Sequence, residues 1–355
     1  MEFKEKLYKE SVELLKNLVS TPSPSREEVE TADLIEIFLQ SHGIKDIHRH
    51  VNNVWVYNLH FDSSKPTILL NSHHDTVRPN SAYTRNPFEP TIEDGKLYGL
   101  GSNDAGASVV SLISAFLWFY KRENLKYNLC LAITAEEEVS GANGIEKVLP
   151  MFGEIDFAIV GEPTDMNLAI AERGLMVVDC KSVGKAGHAA RNEGENAIYK
   201  ALKNIEWFKN YRFDKVSELF GEQKMNVTMI NAGSQHNVVP AECSFVVDIR
   251  IIDKYSHQEI VDIIRQHVDC EVKPRSFRLT PSSISTLHPI VVAGIELGCK
   301  TFGSPTSSDQ ALMKFTSVKI GVGDSARSHS ADEFVYLAEI EHGIELYIKL
   351  LEKIV

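Results

Sequence analysis

The sequence predicts an α/β protein, and three observations carry that reading. Short apolar runs of strand length alternate with stretches of helical periodicity, several of those runs end in carboxylates or imidazoles, and a central stretch shifts to a β-α-β-β-α grouping. The expected architecture is a catalytic domain with a mixed, largely parallel sheet sandwiched by helices. An inserted α+β module of ferredoxin-like layout interrupts it. The expected bounds are 1–172 and 286–355 for the discontinuous domain and 173–285 for the insertion.

In chain order, a first helix spans about Phe3 to Val19 and stops before Thr21-Pro22-Ser23-Pro24, because proline lacks the N–H that a helix interior uses. Ser25-Arg26-Glu27-Glu28 has the pattern of a capping box opening a second helix, whose apolar face is Val29, Ala32, Ile35, Phe38 and Leu39, with Gly43 past its end. Val54–Tyr57 and Thr67–Leu70 read as strands, and Asp94-Gly95 reads as a turn before Lys96. Gly99-Leu100-Gly101-Ser102-Asn103-Asp104 leads into an apolar helix, Val109–Tyr120; the loop matches neither GxxxxGK[ST] nor GxGxxG, which argues against a phosphate cradle. Leu129–Thr134 and Asp156–Val160 are further buried strands, followed by Ala135-Glu136-Glu137-Glu138 and Gly161-Glu162. From about Arg173, strands at Leu175–Val178, Asn226–Ile230 and Ser244–Ile249 and helices at Asn196–Asn210 and Ser256–Gln266 form the insertion. An amphipathic helix, Leu337–Ile354, closes the chain.

The 355 residues, 43% hydrophobic, suffice for a large core. A net charge of -12 argues against nucleic acid and anionic membrane surfaces as partners, and no apolar run reaches the length of a membrane span. Five scattered cysteines without a CxxC pair disfavour a disulfide framework or a cysteine zinc site. With a start that does not look like a signal peptide, they point to the cytoplasm.

The chemistry concentrates where strands end. Thr67–Leu70 runs into Asn71-Ser72-His73-His74-Asp75, and Asp104, Glu137, Glu138, Glu162 and His329 occupy later strand ends and loops. Consecutive glutamates after an apolar strand are costly to bury unless cations compensate them. Nitrogen and oxygen donors without sulfur suit zinc, with cobalt or manganese as substitutes. Two ions roughly 3.5–4 Å apart can activate water and polarise a carbonyl, with a free carboxylate to shuttle the proton.

From Ser72-His73-His74-Asp75-Thr76-Val77 to His329-Ser330-Ala331-Asp332-Glu333, the chain resembles the zinc-dependent aminoacylase and exopeptidase family that includes acetylornithine deacetylase, succinyl-diaminopimelate desuccinylase and carboxypeptidase G. The resemblance implies that His73 and Glu162 bind one zinc, Glu138 and His329 the other, and that Asp104 bridges. It makes Glu137 the general base and Asp75 the residue that orients the zinc-bound imidazole. Ser72, Asn103 and Glu136 depart from the usual motifs without removing a ligand.

In the insertion, Gly184-Lys185-Ala186-Gly187-His188-Ala189 resembles the family's lid motif, whose histidine reaches a partner subunit's active site, so a homodimer through the insertion is implied. Asn237 and Arg250 lie in segments that resemble the substrate-binding lid elements, and an arginine can grip a carboxylate through two parallel hydrogen bonds. His74, His236, His288 and His342 are left as structural or solvent-exposed, and Asp309 as a residue that helps shape the site. The expected activity is removal of the N-acyl group from a small N-acyl amino acid. Gly99-Leu100-Gly101 resembles the acetylornithine deacetylases more than the Gly-Arg-Gly of desuccinylases, and that resemblance implies N-acetyl-L-ornithine or a related N-acyl-ornithine or N-acyl-citrulline, in arginine biosynthesis. The alternatives are succinyl-diaminopimelate desuccinylase, a dipeptidase or carboxypeptidase, and an inactive metal- or peptide-binding module.

Overall fold

A computed structural model describes residues 2–355. The chain forms two compact units. One runs to Ile170 and resumes over Ser283–Phe302 and Ser308–Val355; the other comprises Ala171–Ser282 and Gly303–Ser307.

The first unit begins with α1 (Glu2–Ser20) and α2 (Val29–Ser41), then β1 (His48–His50), β2 (Asn53–Tyr57), β3 (Thr67–His73), and the hairpin β4 (Thr91–Glu93) and β5 (Lys96–Tyr98). Asp94 and Gly95 both have positive φ in that hairpin, as its two-residue turn requires. There follow α3 (Ala107–Phe119), β6 (Asn128–Thr134), α4 (Ile145–Val148), β7 (Phe157–Val160) and β8 (Leu168–Glu172). Strands are hydrogen-bonded in the order β1-β2-β6-β3-β7, continuing through β17 (Thr316–Lys319) to β8. The neighbours β6-β3, β3-β7 and β7-β17 are parallel, and the flanking pairs β1-β2, β2-β6 and β17-β8 are antiparallel. This is the expected mixed sheet, parallel at its centre.

Period-two alternation divides its side chains between two faces. Ile68, Leu70, Leu129, Leu131 and Ile133 join the core formed with α1, α2 and α3, while Leu69, Cys130 and Ala132 pack with Ile145 and Val148 of α4. Helix α3 is buried on nearly every side, which explains why its sequence is apolar all round. The parallel centre has a direct consequence: β3, β6, β7 and β17 all deliver their carboxyl ends to one edge.

The second unit contains β9 (Gly174–Val183), β10 (Gly187–His188), α5 (Ala197–Asn210), β11 (Lys224–Ala232), β12 (Val238–Val239), β13 (Glu242–Ile251), α6 (His257–His267) and β14 (Glu271–Pro274). Its antiparallel sheet has the order β11-β13-β9-β14. Alternate residues of β9 and β13, among them Val178, Cys180, Phe245 and Val247, pack on Ala201, Phe208, Ile260 and Ile264 of the two helices. This is the ferredoxin-like layout that the grouping predicts. The remaining elements are β15 (Ser282–Ser283), α7 (Pro289–Glu296), β16 (Thr301–Ser304), β18 (Phe334–Tyr336) and α8 (Leu337–Glu352).

One local expectation fails. Ser25 and Glu28 form no capping box: the residue before α2 is Glu28, with no side-chain cap, and both side chains are engaged elsewhere. The same pattern at Ser256 and Glu259 does form the reciprocal box opening α6. Among the described residues, no helix is long and apolar enough to cross a membrane.

Candidate metal centre

Each functional side chain at the sheet edge is placed by its strand. His73 is the last residue of β3, paired in register with Thr134 at the end of β6, so the glutamates after β6 rise beside it. Asn71 pairs with Val160, which brings Glu162 to the same edge. Lys319 of β17 also pairs with Val160, and the chain after β17 crosses close to Glu162. Gly321 allows that approach, since a Cβ there would stand 2.4 Å from the Glu162 carbonyl oxygen. Asp104 sits before α3, and its peptide bond to Ala105 is cis. His329 adopts a left-handed backbone, φ 58.

These residues converge. Asp104 lies between the two imidazoles, with Oδ1 3.3 Å from His73 Nε2 and Oδ2 3.7 Å from His329 Nε2. Glu162 Oε1 is 3.7 Å and Glu137 Oε2 4.0 Å from His73 Nε2, and Glu138 Oε2 is 2.9 Å from His329 Nε2. His73, Asp104 and Glu138 offer ligand atoms within 4.8 Å of one another, and so do His73, Glu137 and Glu162. His73 Nδ1 lies 3.1 Å from the Asp75 carbonyl oxygen and 3.4 Å from Asp75 Oδ1, which turns Nε2 toward the carboxylates.

That Nε2 atom provides the test of fit. It is buried and has no hydrogen-bond partner among the described residues, although carboxylate oxygens surround it. Donors that share a tetrahedral ion at about 2.0–2.2 Å stand roughly 3.3–3.6 Å apart, close to the spacings of His73 Nε2 to Asp104 and Glu162. The donors are nitrogen and oxygen only, and all five cysteines are free and outside both groups. The set fits zinc.

The electrostatics agree. Burial, reinforced by the neighbouring carboxylates, raises Glu137 well above the usual carboxylate range. Glu162 is pushed up to about 8, by burial first and by Asp104 and Glu138 as well, with His73 and Lys319 opposing. Burial also raises Glu138, against its bond to His329. Burial opposes protonation of His73, but Glu162, Asp104, Asp75 and Glu137 outweigh it and raise that imidazole. His329 rises to about 9 through its bond to Glu138. Divalent cations would remove this mutual repulsion.

The residues that depart from the family's motifs have structural work. Ser72 Oγ donates to the Gly161 carbonyl (2.7 Å), Asn103 exchanges two bonds with the Asp324 backbone, and the Glu136 carboxylate accepts from the Asn143 backbone and side chain. His74 is structural, as expected: buried, 2.9 Å from Thr31 Oγ1 and 2.8 Å from the Asn52 carbonyl oxygen. His288 accepts from Ile290 N at the start of α7, and His236 and His342 are exposed. Asp309 is buried and accepts from Thr134 Oγ1 (2.8 Å) at the end of β6.

Sequence reasoning gave no role to Glu333. It is 1% exposed, and its carboxylate accepts from the backbone N–H of Gly101 (3.1 Å), Asn103 (2.8 Å) and Asp104 (2.9 Å), fixing the Asp104 loop. Only its place in the His329–Glu333 motif hinted at it. Glu333→Ala strands three amides and is expected to weaken zinc binding about 10–100-fold in a competition titration; unchanged affinity would show that the loop holds its shape alone.

His188, Asn237 and Arg250 belong to the second unit. His188 and Val238 pair across β10 and β12, and Ala189 N donates to the Asn237 carbonyl (3.0 Å), so His188 and Asn237 are neighbours. His188 is exposed, and its Nδ1 accepts from Ala190 N. Arg250 forms a two-pronged pair with Asp248 on its own strand (2.9 and 3.1 Å).

A carboxylate-rich centre between two imidazoles, at the carboxyl edge of a mixed α/β sheet, defines a candidate site for divalent metal ions. The model of peptidase family M20/M25/M40 matches residues 69–353, and the chain belongs to that family. A succinyl-diaminopimelate desuccinylase of Rickettsia typhi is 30% identical over 270 residues, covering 70% of each chain. One of Delftia acidovorans is 25% identical over 379 residues, covering 97% of this chain and 98% of its own. Among solved structures, an M20 family metallo-carboxypeptidase of Sulfolobus solfataricus shares the fold, with a TM-score of 0.76, 18% identity, and coverage of 97% of this chain and 99% of that one.

These relatives do not support the placement nearest acetylornithine deacetylase or in arginine biosynthesis. The structure shows why Gly99-Leu100-Gly101 was a poor guide. Leu100 is buried, and a Cβ at Gly99 or Gly101 would collide with Val19 or Thr76, so the tripeptide answers to packing rather than to an acyl group.

Proposed function

We propose that this protein is a two-zinc amidohydrolase that removes the N-acyl group from an N-acyl amino acid, with an N-succinyl diamino acid of the diaminopimelate type as the first substrate to test. The observation that carries the reading is the partnerless Nε2 of His73 among the oxygens of Asp104, Glu137 and Glu162. The relatives' names support succinyl over acetyl.

In this reading His73 and Glu162 would hold one ion and Glu138 and His329 the other, with Asp104, whose two oxygens face the two imidazoles, serving both. Bound divalent ions supply Lewis acidity toward the scissile carbonyl and toward water. Glu137 takes the proton of the attacking water on its carboxylate and returns it to the leaving amine. A carboxylate not needed as a ligand can serve both steps. Asp75 orients the His73 ring. His188 stabilises the oxyanion, and Asn237 and Arg250 bind substrate, with Arg250 exchanging Asp248 for a substrate carboxylate. Residues 1–172 and 286–355 carry the chemistry, residues 173–285 serve as lid and homodimer contact, and the enzyme works in the cytoplasm.

The test is a panel of N-succinyl-diaminopimelate, N-succinyl-ornithine, N-acetyl-ornithine, N-acetyl-citrulline and simple dipeptides, with added zinc or cobalt. Succinate release at a kcat/KM at least tenfold above acetate release is expected. Acetate release as the faster reaction would restore the deacetylase, and release of amino acids from dipeptides alone would make the protein a peptidase.

A further inference from the structure

We propose that Ser25 is a positioning residue for hydrolysis, acting through the Asp75 carboxylate; this rests on the reading of His73 as ligand and Glu137 as base. The Asp75 side chain is fully buried, accepts three hydrogen bonds and lies beside the His73 ring. Oδ1 accepts from Glu137 N (3.0 Å) and lies 3.4 Å from His73 Nδ1. Oδ2 accepts from Glu138 N (3.2 Å) and from Ser25 Oγ (2.7 Å). One carboxylate therefore sets the ring of a ligand and the backbone of both the base and a second ligand. A carboxylate has about four acceptor sites, and here three are filled by hydrogen bonds while the His73 ring stands against the remaining side. Two of those donors, Glu137 N and Glu138 N, and the His73 ring belong to the residues being positioned. Only Ser25 comes from outside the centre, so its hydroxyl is the fixed point that sets the rotation of the carboxylate.

Ser25 is itself held firmly. Its N–H donates to the Thr76 carbonyl, Thr76 N donates to Ser23 O, and Ser23 Oγ donates to His74 O (3.0 Å), a clamp along the loop after β3. Three residues on, the buried Glu28 accepts from Asn52 Nδ2 (2.7 Å), Arg26 N and Glu136 N, so the same segment also pins the turn leading into Glu137. Residues 23–28 lie upstream of the stretch 69–353 that the family model matches.

The experiment compares wild type, Ser25→Ala, Ser25→Thr and the control Ser23→Ala, which removes a bond of the clamp that does not touch Asp75. For Ser25→Ala, kcat is expected to fall about 10–100-fold, with KM within twofold and zinc stoichiometry unchanged. Threonine keeps the hydroxyl and is expected to restore kcat to within about threefold of wild type. Ser23→Ala is expected to lower Tm by as much as Ser25→Ala while keeping kcat within twofold of wild type. A wild-type kcat in Ser25→Ala, no rescue by threonine, or an equal kcat loss in Ser23→Ala would each overturn the assignment while the hydrolase reading stands. A wild type that cleaves no N-acyl substrate would overturn both.

Discussion

Replacing Glu137 with glutamine is expected to lower kcat by about 10²–10⁴-fold while the protein keeps both zinc equivalents. Glutamine preserves the shape but cannot accept the proton of water. The adjacent Glu138→Gln is expected to behave differently. Glu138 lies 2.9 Å from His329 and shares with Asp104 and His73 a cluster of ligand atoms, so its loss should release about one zinc equivalent. The pair of variants decides a question that the distances leave sharp, because Glu137 also stands in a ligand-like group with His73 and Glu162. Kinetics combined with elemental analysis of the dialysed proteins make the check. A Glu137→Gln protein that loses one zinc, beside a Glu138→Gln protein that keeps two, would exchange the two roles.

Metal removal is expected to reverse the pH dependence of the local electrostatics. Without ions, Glu162 holds its proton to about pH 8, whereas an unfolded glutamate releases it near 4.5. The buried Glu333 likewise rises to about 8. Carboxyls with raised values favour the fold at low pH and lose that contribution as pH climbs toward 8. His329, raised to about 9, contributes stability that is full below 6.5 and lost as pH rises through 9. His73, also raised, acts in the same direction. Asp75 and Asp104 go the other way: burial opposes their ionisation, but the neighbouring His73 imidazole and other nearby groups lower them, so their contribution fades only below the ordinary aspartate range. The metal-free protein should therefore lose roughly 5–10 °C in Tm between pH 6.5 and 9.

Zinc binding requires deprotonated ligands and so tightens across that window. At about a thousandfold excess over Kd, zinc adds about 4 kcal/mol, and the rise in Tm should be larger at pH 8.5 than at pH 6.5. Scanning calorimetry of chelated and reloaded protein gives the answer. A metal-free Tm that is level across this range, or a zinc-induced rise that shrinks with pH, would rule out this account of the acidic cluster.

Local sequence reports what depends on local periodicity. His73, Glu137, Glu138 and Glu162 were legible because each follows a short apolar strand, and adjacent parallel strands bring such ends to one edge. The Ser25-to-Glu28 pattern misled for a complementary reason. A capping box is a contact across three residues, but in this chain both side chains find partners farther away, at Asp75, Asn52 and Glu136. Glu333 was silent because the amides it serves lie more than two hundred positions earlier.

By itself the sequence determined the alternation of elements, the α/β class, the family and the kinds of donor present, because hydrophobic period and residue chemistry are written along the chain. Only the tertiary structure decided that Asp104 stands between the two imidazoles, that the His73 Nε2 atom lacks a partner among the described residues, and that Asp75 gathers donors from two distant segments. Those are relations among atoms that strand pairing and burial bring together, and no spacing along a single chain encodes such distances.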